Sequence, residues 1–237
     1  MKILLLGKGG QVGWELQRSL APLGEVEALD RASGADFLQP EALRRIVMTA
    51  RPDVIVNAAA YTAVDRAESE PEAARTVNAL APGVLAEAAA TLGAWLVHFS
   101  TDYVFDGSGD RPWRESDPTG PINVYGQTKL EGEARITQAC ARHLILRTSW
   151  VHAARGGNFA RTMLRLARER ETLSVIDDQF GAPTSAELLA DVSAHLVRSV
   201  TAADGADRAG TYHLVASGET TWHRYACHVI EAARRLR

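Results

Sequence analysis

The stretch KILLLGKGGQVGWELQRSL, residues 2–20, decides the fold of this chain. A short apolar run leads directly into a glycine-rich turn, and the turn opens an amphipathic segment, which predicts strand, tight turn and helix in succession. Glycines at 7, 10 and 13 follow the spacing GxxGxxG, whereas GxGxxG fails because position 12 is valine. Gly7 would permit the turn, Gly10 would let a ligand approach the backbone, and Gly13 would let the helix pack closely on the strand. Free N–H groups at the start of such a helix favour the pyrophosphate of a dinucleotide.

The same alternation of apolar runs and helical segments continues to about residue 150. The predicted strands are Lys2–Leu6, Val26–Leu29, Asp53–Ala58, Trp95–Ser100 and Leu144–Thr148. The predicted helices are Gln11–Leu20, Pro40–Ala50, Glu70–Leu92 and Val124–Cys140. Strands separated by helices pair in parallel through right-handed crossovers, with helices on both faces. We therefore predict an α/β fold with a doubly wound parallel sheet, a Rossmann domain, over residues 1–150.

Residues 151–237 predict a smaller α/β region that would bind the substrate. Asn158 can cap a helix that runs to about Arg170. Leu173–Ile176 and Thr211–Val215 predict strands, and a polar connection covers residues 202–210. A helix over residues 184–200 is expected to pack back on the first domain, and the last helix begins near Thr221 and continues to the end of the sequence.

The end of the second predicted strand carries the residues that would bind the adenosine ribose. Asp30 can accept hydrogen bonds from ribose hydroxyls, while Arg31 can hold a 2′-phosphate. The pair leaves NAD and NADP as alternatives, and an ordinary turn at the strand end is a third. Asp36 and Phe37 are candidates to flank the adenine. Ala60, Tyr61 and Thr62, after the third strand, are candidates for further cofactor contacts.

Composition excludes several classes of function. The formal net charge of −3 gives no basic surface for nucleic acid. We expect no membrane association, because no apolar run has the roughly 18 residues that a membrane span needs. Cys140 and Cys227 lie far apart without a CxxC motif, and the histidines show no metal-binding spacing. These features predict a protein of the reducing cytoplasm.

Three polar residues form a candidate carbonyl-reducing site. Thr101 lies at the carboxyl end of the fourth strand, and Tyr125 and Lys129 are four residues apart, which places them on one face of a helix. The threonine hydroxyl would bind the substrate oxygen while Tyr125 donates a proton. Lys129 would hold the nicotinamide ribose, and its charge is expected to lower the pKa of the tyrosine.

These motifs resemble the extended short-chain dehydrogenase/reductases, and specifically the dTDP-4-dehydrorhamnose reductase family. The resemblance covers nearly the whole chain, and its most specific parts are STDYVFDG at residues 100–107, NVYGQTK at 123–129 and DQFGAPT at 178–184. It implies NADPH-dependent reduction, with NADH as a further donor, of the 4-keto group of dTDP-4-dehydrorhamnose to dTDP-L-rhamnose. The product would serve cell-surface polysaccharide synthesis.

The resemblance also implies roles for individual residues. The catalytic residues are Thr101, Tyr125 and Lys129, and the substrate contacts are Thr101, Asp102 and Trp150. The cofactor contacts are Gly10, Gln11, Val12, Asp30, Asp36, Phe37, Ala60, Tyr61 and Thr62. Trp150 could form a wall beside the methyl group of a deoxysugar or be a structural tryptophan. Some members bind magnesium at a dimer interface through positions that match Glu15 and Glu187, so a homodimer and Mg²⁺ are further expectations. Family members usually continue past the last helix, which would leave the substrate-binding region here incomplete.

Two other functions stay open. An epimerase or dehydratase of the same superfamily, acting on another nucleotide sugar, would regenerate its NAD, whereas a reductase consumes the reduced cofactor. A non-catalytic NADP-binding subunit would bind the cofactor without turnover. The presence of both Tyr125 and Lys129 favours an enzyme.

Overall fold

The computed structural model describes residues 1–202 and 205–236. Its strands are β1 (Lys2–Leu6), β2 (Glu25–Leu29), β3 (Val54–Asn57), β4 (Trp95–Thr101), β5 (His143–Thr148), β6 (Val151–His152), β7 (Phe180–Gly181), β8 (Thr184–Ser185), β9 (Gly210–His213) and β10 (Thr220–Thr221). Its α-helices are α1 (Gln11–Leu20), α2 (Pro40–Ala50), α3 (Val64–Ala67), α4 (Pro71–Arg75), α5 (Ala81–Leu92), α6 (Val124–Ala139), α7 (Phe159–Glu169), α8 (Ala186–Val200) and α9 (Trp222–Arg235).

Six strands form one parallel sheet in the order β2-β1-β3-β4-β5-β9. The register places the last residues of neighbouring strands opposite each other, as with Leu6 and Asn57 or Thr101 and Thr148. The predicted doubly wound α/β fold is confirmed. Its carboxyl edge is therefore a single line along which the ends of β1 to β5 meet.

Each face of the sheet is buried under helices, which explains why the strands are apolar at consecutive positions. Leu4, Ile55 and Leu96 point into the layer with α2, α5 and α6, and Ile3, Val54 and Val97 point into the layer with α1 and α8. All six side chains are fully buried. The sheet is thus a rigid platform for the residues at its carboxyl edge.

The second half of the chain contributes to the same platform. α8 packs against α1, and β9 pairs in parallel with β5 as the sixth strand. α8 and β9 therefore continue the layers that the first 150 residues begin. The division into domains at residue 150 stays a prediction.

The structure corrects two predicted elements. Leu173–Ile176 is not a strand, because no strand pairs with it among the described residues, and its Ile176 carbonyl instead accepts from the His223 backbone N–H at 3.0 Å. Thr184 belongs to β8, and the helix begins two residues later because the Ser185 side chain accepts from the Leu188 N–H. Residues 203 and 204 of the predicted connection, and residue 237 of the predicted last helix, lie outside the described residues.

The helix predicted over Glu70–Leu92 is present, but it contains a π-helical segment, Thr76–Leu80, between α4 and α5. Within the described ranges, no helix combines the length and apolar character needed to cross a bilayer.

Candidate active site

A cleft of about 560 Å³ opens at the carboxyl edge of the sheet. Nine of the residues predicted to bind the cofactor line it: Gly7, Gly10, Gln11, Val12, Asp30, Ala60, Thr62, Tyr125 and Lys129. Sequence reasoning did not assign the other lining residues: Gly9, Ala58, Ala59, Phe99, Ser100, Thr148, Val151, Gly156 and Gly157. The cleft therefore combines the glycine loop with the tyrosine–lysine pair.

The glycine loop has the shape of a phosphate cradle. Gly7 has a φ of +91°, and a Cβ there would lie 2.7 Å from the Ala59 backbone nitrogen. A Cβ on Gly13 would lie 2.0 Å from the Gly7 carbonyl oxygen, so α1 can pack here only without a side chain. Gly10 precedes α1 without any side-chain cap. The amides of the first turn thus have no side-chain acceptor, which suits an anionic phosphate.

Asp30 lines the cleft as an ionised carboxylate. It accepts hydrogen bonds from the Ser33 hydroxyl at 2.8 Å and the Ser33 N–H at 3.0 Å. These bonds hold the pKa of Asp30 below its ordinary value. Arg31 is exposed, and its Nε lies 3.4 Å from the Asp36 carboxylate. Neither of these two residues lines the cleft.

Two predicted cofactor residues face away from the cleft. The Tyr61 hydroxyl donates to Glu70 at 2.7 Å, and its backbone N–H donates to Asn78 at 2.8 Å. Phe37 is only 6% exposed and packs in the core beside α2. The structure therefore places both residues in packing or hydrogen-bonding roles, and contact with a cofactor stays a prediction.

The three predicted catalytic residues come together beside the cleft. Asn123 caps α6 by accepting from the Gly126 N–H at 2.7 Å, which sets Tyr125 in the first turn. A Cβ on Gly126 would lie 2.2 Å from the Tyr103 carbonyl oxygen, so the glycine lets α6 approach the segment that follows β4. Thr101 lies beside Tyr125 and donates to the Asp102 carboxylate at 3.1 Å.

The predicted effect of Lys129 on Tyr125 is wrong for the free protein. Burial raises the pKa of Tyr125 to about 12, which outweighs the hydrogen bond with Thr101 that lowers it. Asp102 and Tyr103 add to the rise. The phenol is therefore protonated at neutral pH, the form that can give a proton away.

Lys129 is almost completely buried, with 1% of its surface exposed. Its Nζ donates to the Phe99 carbonyl oxygen at 2.6 Å and lies 3.1 Å from His98 Nε2. Burial lowers the pKa of Lys129 to about 8, while the Glu133 carboxylate acts in the opposite direction. The Nζ of Lys129 is therefore held by groups of β4 instead of by the phenol.

A buried polar network supports α6, and sequence reasoning missed it. Ser100 donates to Glu133 at 2.5 Å, and Arg147 holds the same carboxylate through Nε at 3.0 Å and Nη2 at 2.7 Å. The signal was in the sequence, because Tyr125, Lys129 and Glu133 recur every four residues on one helix face. The network ties α6 to both β4 and β5.

Trp150 has structural contacts on both sides of its ring. It stacks on Trp222 with ring centroids 3.5 Å apart, and a Cβ on Gly181 would lie 2.5 Å from the ring. Its φ of +47° is unusual for a large residue and marks a constrained position. Its contact with substrate, like that of Asp102, stays a prediction.

The two glutamates matched to a metal position lie on α1 and α8, which pack against each other. Glu15 lies 3.6 Å from the Arg18 guanidinium. In the described part of the chain, no three His, Cys, Asp or Glu side chains are grouped so that they could hold a metal ion. Magnesium binding stays a prediction from the resemblance.

Comparison with known proteins identifies relatives across the chain. The family model described as the RmlD substrate binding domain matches residues 1–237. A dTDP-4-dehydrorhamnose reductase of Shigella flexneri is 61% identical over 238 residues, which cover 99% of this chain and 79% of that protein.

Solved structures agree. A dTDP-4-dehydrorhamnose reductase from Clostridium acetobutylicum matches with a TM-score of 0.92 and 36% identity, over 99% of this chain and 81% of that one. Another from Bacillus anthracis, solved in complex with NADP, matches with a TM-score of 0.89 and 34% identity, over 98% and 81% of the two chains.

Proposed function

This chain belongs to the dTDP-4-dehydrorhamnose reductase family, and we propose on that premise that its cleft reduces the 4-keto group of dTDP-4-dehydrorhamnose to give dTDP-L-rhamnose. One observation about the site gives this proposal its strongest support. The phenol of Tyr125, beside the Thr101 hydroxyl, lines the same cleft as the glycine loop. A cofactor phosphate bound by that loop would leave the far end of the cofactor beside the phenol.

The residues have separate tasks in the proposed reaction. The bound nicotinamide supplies hydride to the C4 carbon. Tyr125 is the general acid: its phenol stays protonated because its pKa is about 12, and it gives that proton to the developing alkoxide. Thr101 holds the same oxygen through its hydroxyl.

Lys129 acts next to the phenol on the cofactor side. It lines the cleft one helical turn from Tyr125 and would hold the nicotinamide ribose. Once Tyr125 has lost its proton, a charged Lys129 would stabilise the phenolate. Asp102, which accepts from Thr101 at 3.1 Å, orients that hydroxyl and would contact the sugar.

We propose NADPH as the reductant, with NADH as a second donor. The exposed guanidinium of Arg31 could exchange its contact with Asp36 for one with a 2′-phosphate, and a relative from Bacillus anthracis was solved with NADP. The ionised carboxylate of Asp30 in the cleft supports use of NADH, because it can accept from both ribose hydroxyls.

Following NADPH absorbance with and without dTDP-4-dehydrorhamnose tests the function. We expect one NADPH consumed for each sugar reduced and no consumption without the sugar. Product formed without net consumption would assign an epimerase or dehydratase. Tight NADPH binding with no turnover would assign a non-catalytic subunit.

We further propose a homodimer and a cytoplasmic location. Trp14 and Leu188 are 46% and 38% exposed on the neighbouring helices α1 and α8, a face that a second copy could cover. Sedimentation of the chain with and without Trp14→Glu would test this, since the substitution should give monomers. Both cysteines are free, which agrees with a reducing compartment.

A further inference from the structure

Three buried polar side chains, Asn57, His98 and Lys129, form a chain at the end of β3 and β4. Their exposed fractions are 1%, 0% and 1%. Asn57 Nδ2 lies 2.9 Å from His98 Nδ1, and His98 Nε2 lies 3.1 Å from Lys129 Nζ. The mechanism above uses only Lys129, so the other two groups have no role in it.

The orientation of the Asn57 amide is fixed by the backbone. The N–H of Ala59 donates to Asn57 Oδ1 at 3.0 Å, so this atom is the oxygen and the amide nitrogen faces His98. An amide nitrogen can only donate a hydrogen bond. His98 Nδ1 must therefore be the acceptor and carries no proton.

The proton of the neutral imidazole is then on Nε2, the atom that faces Lys129. The ring is neutral because burial lowers the pKa of His98 well below its ordinary value. An Nε2–H group needs an acceptor, and an ammonium has none, whereas a neutral amine has one lone pair. The amine still donates to the Phe99 carbonyl oxygen.

We propose that Asn57 and His98 are positioning residues that favour the neutral amine of Lys129 over the ammonium in the cofactor-free protein, and so set the pH at which Lys129 takes up a proton. The catalytic consequence rests on the proposed function, but the hydrogen-bond polarity does not. Protonation of Lys129 would set two N–H groups against each other. Either the contact between Nζ and Nε2 opens, or Asn57 turns over and gives up the Ala59 N–H.

The surroundings of Lys129 act in the same direction. Burial already lowers the pKa of Lys129 to about 8, and the opposing Glu133 carboxylate is shared with Arg147. The titratable and charged groups around this part of α6 are His98 and Asp102 on the β4 side, Arg147 on β5, and Tyr125 and Glu133 on α6 itself.

Nitrogen-15 NMR of histidine-labelled and lysine-labelled protein tests the proposal without any turnover. We expect the His98 ring to carry its proton on Nε2. The chain has only three lysines, Lys2, Lys8 and Lys129, so the side-chain titrations can be assigned. Lys129 should titrate at least two pH units below a free lysine, whose pKa is about 10.4.

Asn57→Asp reverses the direction of the hydrogen bonds that run from Asn57 through His98 to Lys129. A carboxylate accepts from both the Ala59 N–H and His98 Nδ1, so the ring proton should move to Nδ1 and Nε2 should accept from a charged Lys129. We expect the Lys129 titration, and the basic limb of the kcat/KM profile, to move up by about one pH unit or more. Asn78→Asp is the matched control, because Asn78 is equally buried but bonds Tyr61 and Thr128. It should leave the His98 proton on Nε2.

A wild-type ring protonated on Nδ1, or a Lys129 that titrates together with Lys2 and Lys8, would overturn the proposal. If Asn57→Asp does not fold, the wild-type measurement is enough to test the proposal. The NMR spectra do not depend on whether the protein has the proposed reductase activity. Each of the two hypotheses can therefore be rejected without the other.

Discussion

Gln11 and Asn158 are joined by a hydrogen bond of 2.9 Å from the Asn158 amide to the Gln11 side-chain oxygen. Gln11 is the first residue of α1 and lines the cleft, whereas Asn158 caps α7 in the second half of the chain. The same Asn158 amide donates to the Ala153 carbonyl oxygen at 2.8 Å. The loop over residues 153–157, which brings Gly156 and Gly157 into the cleft, is therefore fastened to the glycine loop.

Asn158→Ala should weaken both the fold and the cofactor site. It removes the α7 cap, which costs about 1 kcal/mol of the free energy of unfolding, and it frees the Gln11 side chain. We expect the Kd for NADPH to rise by roughly 5- to 10-fold, as for one lost hydrogen bond. Urea denaturation and fluorescence titration of NADPH measure the two effects.

Asn158→Asp separates the two contributions. The carboxylate can still accept from the Arg161 N–H that the native oxygen accepts from at 3.1 Å, but it cannot donate to Gln11. Stability should fall less than in Asn158→Ala, because the cap of α7 is kept, while NADPH binding weakens, because the carboxylate can donate neither to Gln11 nor to Ala153. Equal NADPH affinity in Asn158→Asp and wild type would show that the bond to Gln11 does not shape the cleft.

Tyr125→Phe should abolish most turnover and leave cofactor binding nearly intact. The ring keeps its edge contact with Tyr103, at 5.5 Å between centroids, but no proton donor remains beside Thr101. General acid catalysis contributes about 10²- to 10⁴-fold, so kcat should fall by that factor. Tyr212→Phe is a matched control on β9, whose hydroxyl donates to a backbone carbonyl, and its kcat should not change. A Tyr125→Phe enzyme within tenfold of wild type would rule out Tyr125 as the acid.

The glycine loop and the catalytic helix could be predicted because their signals are local. Gly7 and Gly13 follow a strand at fixed spacing, and Tyr125 and Lys129 share a helix face. The Asn57–His98–Lys129 chain could not be predicted, since it joins residues of two strands and a helix that only the parallel register brings together. The prediction that the pKa of Tyr125 is lowered was wrong for the same reason, because the burial of this side chain depends on packing between distant segments.

Local sequence patterns also could not predict the short strands and the irregular segments. β7 and β10 have two residues each and are strands only because they pair with one another. Leu173–Ile176 has the β-branched composition of a strand but finds no partner among the described residues. Strand-like composition therefore shows that a segment could fit into a sheet, but it does not show that the segment forms a strand.

Asp102→Asn should stabilise the protein at neutral pH. Burial raises the pKa of Asp102 from 3.8 to about 6. A carboxyl with a raised pKa in the folded state stabilises the fold fully below pH 4 or so, and this contribution is lost as the pH rises through about 6. At pH 7 the neutral amide avoids a buried charge and should add about 2 kcal/mol to the free energy of unfolding. Urea denaturation at pH 7 and pH 4 tests this: the advantage should nearly vanish at pH 4, and an equal gain at both values would contradict the raised pKa.

Asp30→Asn and Arg31→Ala should move cofactor preference in opposite directions. Removing the Asp30 charge relieves repulsion of a 2′-phosphate, so the ratio of kcat/KM for NADPH over NADH should rise by about tenfold, or 1.4 kcal/mol. Removing the Arg31 guanidinium should lower the same ratio by a similar factor. Steady-state kinetics with both cofactors measure the ratio, and a preference unmoved by either substitution would place the 2′-phosphate away from both side chains.

Gly13→Ala should damage the cofactor site although alanine favours helices. In an open helix this change stabilises by up to about 1 kcal/mol, but here the new methyl carbon would lie 2.0 Å from the Gly7 carbonyl oxygen. Because that atom belongs to the backbone, α1 must move away from β1, at a cost on the order of 1–3 kcal/mol. NADPH affinity should fall by at least tenfold, since the amides of the first turn move with the helix. Gly120→Ala is the control: its methyl carbon would lie 3.8 Å from Asp106, an ordinary contact, so stability and NADPH affinity should hold. A Gly13→Ala protein as stable and as tight for NADPH as wild type would mean that the glycine loop does not need this close packing.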